Sequence, residues 1–200
     1  MRTSWTVLLA ASILATPALA RGQDFGVMES AETINVRNVK LRLSPLLVFD
    51  KHGNDDRAGA SILVGYGVTP RFDLEGGVAF YDGVTFFGGN GEFWLVREQP
   101  FDVSLIAGLH GRTGSKTANF AGVDLTVLAS GHATPRLELF GAVDLAFEGL
   151  GEPGRFTTAH LVPGLEYKLN DTVDFVAEFG VALNDRSNHY LAGGLAFYFQ

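Results

Sequence analysis

The chain contains no cysteine among its 200 residues. That excludes a disulfide framework, a thiol nucleophile and a lipoprotein attachment site. Basic charge is in short supply: 15 Lys and Arg face 22 Asp and Glu, for a formal net charge of −7. This is the wrong sign for a protein that works by gripping a phosphate backbone. Long apolar runs are missing too. Beyond the N-terminus nothing approaches the roughly 18 consecutive apolar residues of a membrane helix, so any embedding in a bilayer has to come from strands. Metal-ligand spacing is also lacking. His52, His110, His132, His160 and His189 are scattered, with no second His or Cys at ligand spacing. Asp50-x-x-x-Asn54-Asp55-Asp56 is acidic but lacks the spacing and glycine of a calcium loop. No metal and no cofactor is implied.

What is present begins with a leader. Arg2 supplies a short positive region, Val7 to Ala15 is apolar, and Ala18-Leu19-Ala20 has the small-x-small form of a cleavage site. Residues 1–20 are expected to be a signal peptide cut after Ala20, which removes one basic residue and leaves −8. Residues 21–38 are polar with no clean period, and fit a periplasmic arm, a short helix or a lumen plug.

From Val39 onward the chain alternates with a period of two, the mark of a pleated strand. The clearest case follows Thr69-Pro70-Arg71: Phe72, Leu74, Gly76, Val78 and Phe80 fall on one side, Asp73, Glu75, Gly77 and Ala79 on the other. The pattern predicts about ten strands, at 39–49, 58–68, 72–80, 85–96, 101–110, 121–129, 137–148, 157–168, 173–183 and 189–199. Pro45 predicts a bulge or a strained edge, since it cannot donate to a ladder. Gly88-Gly89-Asn90-Gly91 predicts a bulge or room for a neighbouring side chain. The connections at 69–71, 97–100, 130–135 and 170–172 are short. Those at 50–57, 111–119, 149–154 and 184–188 are mostly longer and polar, with Tyr81-Asp82-Gly83 a short exception.

One face of these strands is apolar. The other mixes small residues (Gly77, Ala79, Gly108, Ala142, Ala182) with isolated charges. A solvated outer face carries many long polar side chains, whereas small residues with sparse charge suit the inside of a narrow barrel. A mean hydropathy of +0.16 is what a greasy outside averaged with a wet inside produces. Lipid forbids unpaired backbone groups, so such a sheet must close. Phe72, Phe101, Tyr167 and Phe199 near the short turns, and Phe49, Phe80, Phe147 and Phe156 near the longer loops, read as two interfacial girdles. The fold class predicted is all-β: a closed antiparallel up-and-down transmembrane β-barrel over 39–200, with ten strands and eight or twelve as alternatives.

The leader, the repeated turns Gly67-Val-Thr-Pro-Arg-Phe-Asp-Leu74 and Thr134-Pro-Arg-Leu-Glu-Leu139, and the ending Tyr190-Leu-Ala-Gly-Gly-Leu-Ala-Phe-Tyr-Phe-Gln200 resemble the small outer-membrane barrels of Gram-negative bacteria, OmpA-like and OmpW-like. The resemblance implies a bacterial outer-membrane location, contact with lipid and lipopolysaccharide, and a monomer rather than an oligomer. It also implies delivery by the barrel-assembly machinery through the C-terminal strand, although Gln200 follows the expected terminal aromatic, Phe199. It names no activity.

The candidate site is the lumen. Lys40, Arg42, Asp73, Glu75, Asp102, Glu138, Asp144, Glu166, Asp174 and Glu178 are expected to line it, with Glu92, Asp124 and Lys168 on the same face. Carboxylates in a narrow lumen must be paired, hydrated or partly protonated. The set fits a structural ion-pair network or a narrow, cation-leaning passage for small solutes. The enzymatic alternative is a lipid-modifying barrel using Ser187 and His189, with Asp185 nearby, at the outer rim. A soluble secreted β-barrel or sandwich is the remaining alternative. No catalytic residue is assigned.

Overall fold

A computed structural model describes residues 26–200 except 52–55, 82, 99, 115–119 and 151–153. The leader at 1–20, His52, most of the acidic loop around Asp55 and parts of the loops at 111–119 and 149–154 lie outside the described residues. Ten strands follow one another: β1 (Val39–Phe49), β2 (Arg57–Thr69), β3 (Phe72–Tyr81), β4 (Val84–Glu98), β5 (Phe101–Gly114), β6 (Phe120–Thr134), β7 (Leu137–Glu148), β8 (Phe156–Asn170), β9 (Val173–Ala182) and β10 (His189–Phe199). Each pairs antiparallel with its neighbour in sequence, and β1 pairs with β10, from Val39 opposite Phe199 to Phe49 opposite His189. The sheet is a closed barrel with no free edge, the condition a bilayer imposes on strands. No helix among the described residues is long and apolar enough to cross a membrane.

The alternation resolves into an outside and an inside. Leu43, Leu47, Val64, Leu74, Leu109, Val127 and Leu191 are exposed on the outer surface, Leu109 at 65%. Their alternates Arg42, Ser44, Asp73, Glu92, Ser104 and Ala192 are buried within. Exposed aliphatic and aromatic side chains on one whole face are what a lipid solvent stabilises. Phe80, Phe101, Phe147 and Phe199 are among the exposed aromatics, and Phe72 stacks on Phe93 at 4.4 Å.

The hairpins at one end share a design. The strands preceding them shift register at Gly67/Thr69, Trp94/Val96, His132/Thr134 and Lys168/Asn170. A bulge of this kind adds twist and bends the strand into its turn. In three of the hairpins a side-chain oxygen caps the bend. Thr69 Oγ1 accepts from the Arg71 amide at 3.2 Å, Thr134 Oγ1 from the Arg136 and Leu137 amides at 3.3 and 3.0 Å, and Asn170 Oδ1 from the Thr172 amide at 2.9 Å.

Several expectations are corrected. Strand β6 continues to Thr134, so the turn is only Pro135–Arg136, and β5 continues through Gly114. In each case a strand with few bulky apolar residues is held by its neighbour's ladder rather than by its own pattern. Pro45 makes no bulge. It leaves a gap in the ladder to β10 between Leu43↔Leu195 and Leu46↔Ala192, and the register is the same on both sides. Gly88 to Gly91 also keep register. They provide room: a methyl group at Gly91 would lie 2.8 Å from the Phe72 ring.

Candidate functional site

The lumen is occupied by the chain itself. Residues 26–34 run inside the barrel, with Val27, Met28, Glu29, Ser30, Ala31 and Ile34 all buried. This segment makes no strand ladder, so its backbone groups need partners, and the wall's side chains supply them. Glu178 of β9 accepts from the Val27 amide at 2.9 Å and from the Met28 amide. Ser130 Oγ of β6 accepts from the Ala31 amide at 3.0 Å, and Asp73 Oδ2 of β3 from the Ile34 amide at 2.7 Å. Arg42 of β1 donates to the carbonyls of Val27 and Met28. Gly26 lies at φ +74°, and a methyl group there would meet Glu178 Oε1 at 2.3 Å, so only glycine fits.

A buried quartet ties segment and wall electrostatically. Lys40 Nζ stands 2.9 Å from Glu29 Oε2 and 2.5 Å from Glu75 Oε1, and Arg42 Nη2 stands 3.3 Å from Glu75 Oε2. Glu29 belongs to the inner segment; the other three belong to β1 and β3. Each cation sits between carboxylates, and removing one partner would strand a buried charge. At its lower end the segment leaves the lumen by a tight approach to β2. The Arg37 amide donates to the Gly67 carbonyl at 2.8 Å and the Gly67 amide to the Asn38 carbonyl at 3.1 Å, and a methyl group at Gly67 would sit 2.1 Å from the Asn35 carbonyl oxygen.

Two spaces remain. A cavity of about 70 Å³ lies above the segment, lined by Glu29, Asn90, Asp124, Thr126, Asp144, Thr158, His160 and Tyr190. A vestibule of about 340 Å³ opens at the capped-hairpin end, lined by Glu32, Lys40, His132, Glu138, Glu166, Lys168 and Asp174 among others.

The ten candidates therefore divide. Lys40, Arg42, Asp73, Glu75, Glu138 and Glu178 are buried on the inner face. Asp102, Asp144, Glu166 and Asp174 are half-buried. Lys40, Arg42 and Glu75 come together in the quartet; Asp73 and Glu178 hold amides. Asp102 accepts from Trp94 Nε1–H at 3.1 Å, and Asp144 from Thr126 Oγ1–H at 2.7 Å. The chain's histidines are less scattered in space than along the sequence. His110 bridges Asp124 (Nδ1, 2.7 Å) and Glu148 (Nε2, 3.0 Å) across β5, β6 and β7. The signal that would have located this cluster is strand register, which places Gly122 between His110 and Glu148.

Ser187 and His189 have separate engagements. Ser187 is buried, donates to Asn184 Oδ1 at 2.9 Å and accepts from the Ala159 amide at 2.8 Å. His189 Nδ1 accepts from the Ala182 amide at 3.2 Å, and its ring stacks on the outward Phe179. Toward the loop end Tyr81 stacks on Phe86 at 4.9 Å, both buried, beside the buried polar groups Arg112 and Glu148.

A comparison with curated proteins finds no match. Among solved structures the chain is similar to the KdgM porin, at 11% identity and TM-score 0.49 over 80% of this chain and 99% of that one. It is similar to the NanC porin, at 9% and 0.48 over 78% and 98%. It is also similar to the translocator domain of autotransporter NalP from Neisseria meningitidis, at 8% and 0.44 over 84% and 89%. The model of the family described as outer membrane protein beta-barrel domain matches residues 6–199. With nearly its whole length matched and its ten strands closed into a barrel with an apolar exterior, this chain belongs to that family of outer-membrane β-barrel proteins.

Proposed function

We propose that this barrel is a narrow, cation-leaning passage closed at rest by its own N-terminal segment. The observation that carries the reading is how residues 26–34 are held. The wall closes without them, through β1 and β10, and they are attached to it by side chains alone. Withdrawal of the segment would leave a complete barrel whose lumen carries Asp73, Glu75, Glu92, Asp144, Glu148 and Glu178 against Lys40, Arg42 and Arg112. Anions would be disfavoured there and cations tolerated. Ten strands lie near the width at which side chains just fill the interior, so the open passage would suit small solutes only. The separate engagements of Ser187 and His189 support a non-enzymatic role. Cleavage after Ala20, contact with lipopolysaccharide, assembly through β10 and a monomeric state belong to the same reading.

Planar-bilayer recording tests it. The chain lacking residues 26–34 is expected to conduct, with cations preferred, while the intact chain stays closed. Because the protein has no cysteine, a single disulfide between Ala31→Cys and Ser130→Cys can lock the segment, and reduction should restore any spontaneous openings. Silence of the deleted chain, with the barrel shown to be folded, would leave a purely structural protein.

A further inference from the structure

At the vestibule the segment and the wall bring three metal-ligating side chains together. Glu32 comes from the segment, His132 from the end of β6 and Glu138 from the start of β7. His132 and Glu138 are direct register partners. His132 Nδ1 lies 3.9 Å from Glu32 Oε1, and His132 Nε2 lies 4.0 Å from Glu138 Oε2. One ligand atom from each residue can be chosen so that all three lie within 4.8 Å of one another.

The second observation is the state of Glu138. It is 6% exposed, and its Oε1 is buried without a hydrogen-bond partner, in a residue that lines the vestibule. An orphaned carboxylate oxygen at this depth costs free energy unless a cation or donor meets it. Lys40 and Lys168 line the same vestibule, but their ion pairs run to Glu29, Glu75 and Asp171.

We infer that Glu32, His132 and Glu138 form a site for a divalent transition-metal ion of the zinc type, which fastens the inner segment to the β6–β7 hairpin. One imidazole nitrogen and two carboxylate oxygens are a donor set suited to such an ion, with the fourth position open to vestibule water. Tetrahedral zinc at about 2.0–2.1 Å from each ligand requires ligand atoms roughly 3.4 Å apart, so the site must contract on binding. It has the freedom to do so, because the Glu32 and His132 side chains are 44% and 50% exposed. The bound ion would link Glu32 to the wall where the segment leaves the barrel. Its role as a fastener rests on the closed-passage reading; its existence as a site does not.

The test is calorimetric titration of the purified, folded full-length chain with zinc chloride, folding being checked by heat-modifiable migration. The intact chain is expected to bind close to one equivalent. His132→Ala and Glu138→Gln are each expected to weaken that binding tenfold or more, and Glu32→Gln to weaken it as well. No saturable binding by the folded intact chain, or unchanged affinity in His132→Ala, would overturn the site. Loss in His132→Ala with unchanged affinity in Glu32→Gln would overturn the link to the segment. Conductance does not enter these readouts, so a barrel silent in bilayers leaves the outcome readable.

Discussion

A methyl group at Gly122 would lie 2.3 Å from His110 Nε2 and 3.1 Å from Glu148 Oε2. The absent side chain is what lets His110 reach across β6 to Glu148. Gly122→Ala is therefore expected to displace the imidazole and lower stability by about 1–3 kcal/mol, as overpacking does. The urea midpoint of unfolding from lipid vesicles measures it. Gly141→Ala is the control: nothing lies within 4 Å of the added methyl, and a change below about 0.5 kcal/mol is expected. Glu178 makes a second residue-scale case. Its two oxygens accept the Val27 and Met28 amides. Glutamine keeps one acceptor and turns a donor toward the other amide. Glu178→Gln should weaken the segment's hold by about 1–3 kcal/mol. The readout is the yield of disulfide between Ala31→Cys and Ser130→Cys, which should fall while the barrel stays folded.

Among the elements, the capped hairpins and the proline-bearing strands show how local chemistry sets the frame. Thr134 Oγ1 takes two amides, and Asn170 Oδ1 takes both the amide and the hydroxyl of Thr172. Thr134→Ala and Asn170→Ala are each expected to cost about 0.5–1.5 kcal/mol, and Thr69→Ala, which loses one bond, less. Urea midpoints of the two variants, compared with Thr69→Ala, check the order. The prolines act differently. Pro163 of β8, like Pro45 of β1, sits where one ladder is interrupted and register is kept: Leu161 faces Val181 and Gly164 faces Glu178 on either side of the gap. Both prolines still pair with their other neighbour, Pro45 with Ala60 and Pro163 with Gly141. A missing donor in a closed sheet costs a bond on one side only, which is why strong alternation carries the strand through it.

For the whole molecule, closure through β1 and β10 makes the barrel one cooperative unit, since lipid offers unpaired backbone groups no partner. The full chain in washed outer membranes should migrate faster on SDS gels unboiled than boiled. A soluble periplasmic protein without that shift would contradict the closed barrel in lipid. The interior is where the whole differs from the sum of strands. The inner face carries charge along its length, with Arg112 and Glu148 beside the aromatic pair Tyr81 and Phe86 at the loop end, and the segment's Val27, Met28 and Ala31 lie in one buried cluster with wall residues such as Val176 and Tyr190.

The alternation of 72–80 and its repeats was enough to determine the class of fold and the outward and inward faces, and it pointed to about ten strands, with eight or twelve left open until closure of the sheet fixed the count. Class and faces depend on residues two apart, and such relations are written along the chain. The placement of 26–34 was not legible, because its polar, aperiodic sequence has no local reason to enter a barrel. Its reason is Glu178, Asp73, Ser130 and Arg42, which lie on four different strands and converge only when the sheet closes. The same holds for Glu32 with His132, and for His110 with Glu148: partners far apart in sequence are set by strand register around the ring. Period two decides which way a side chain points. Only closure decides what it meets there.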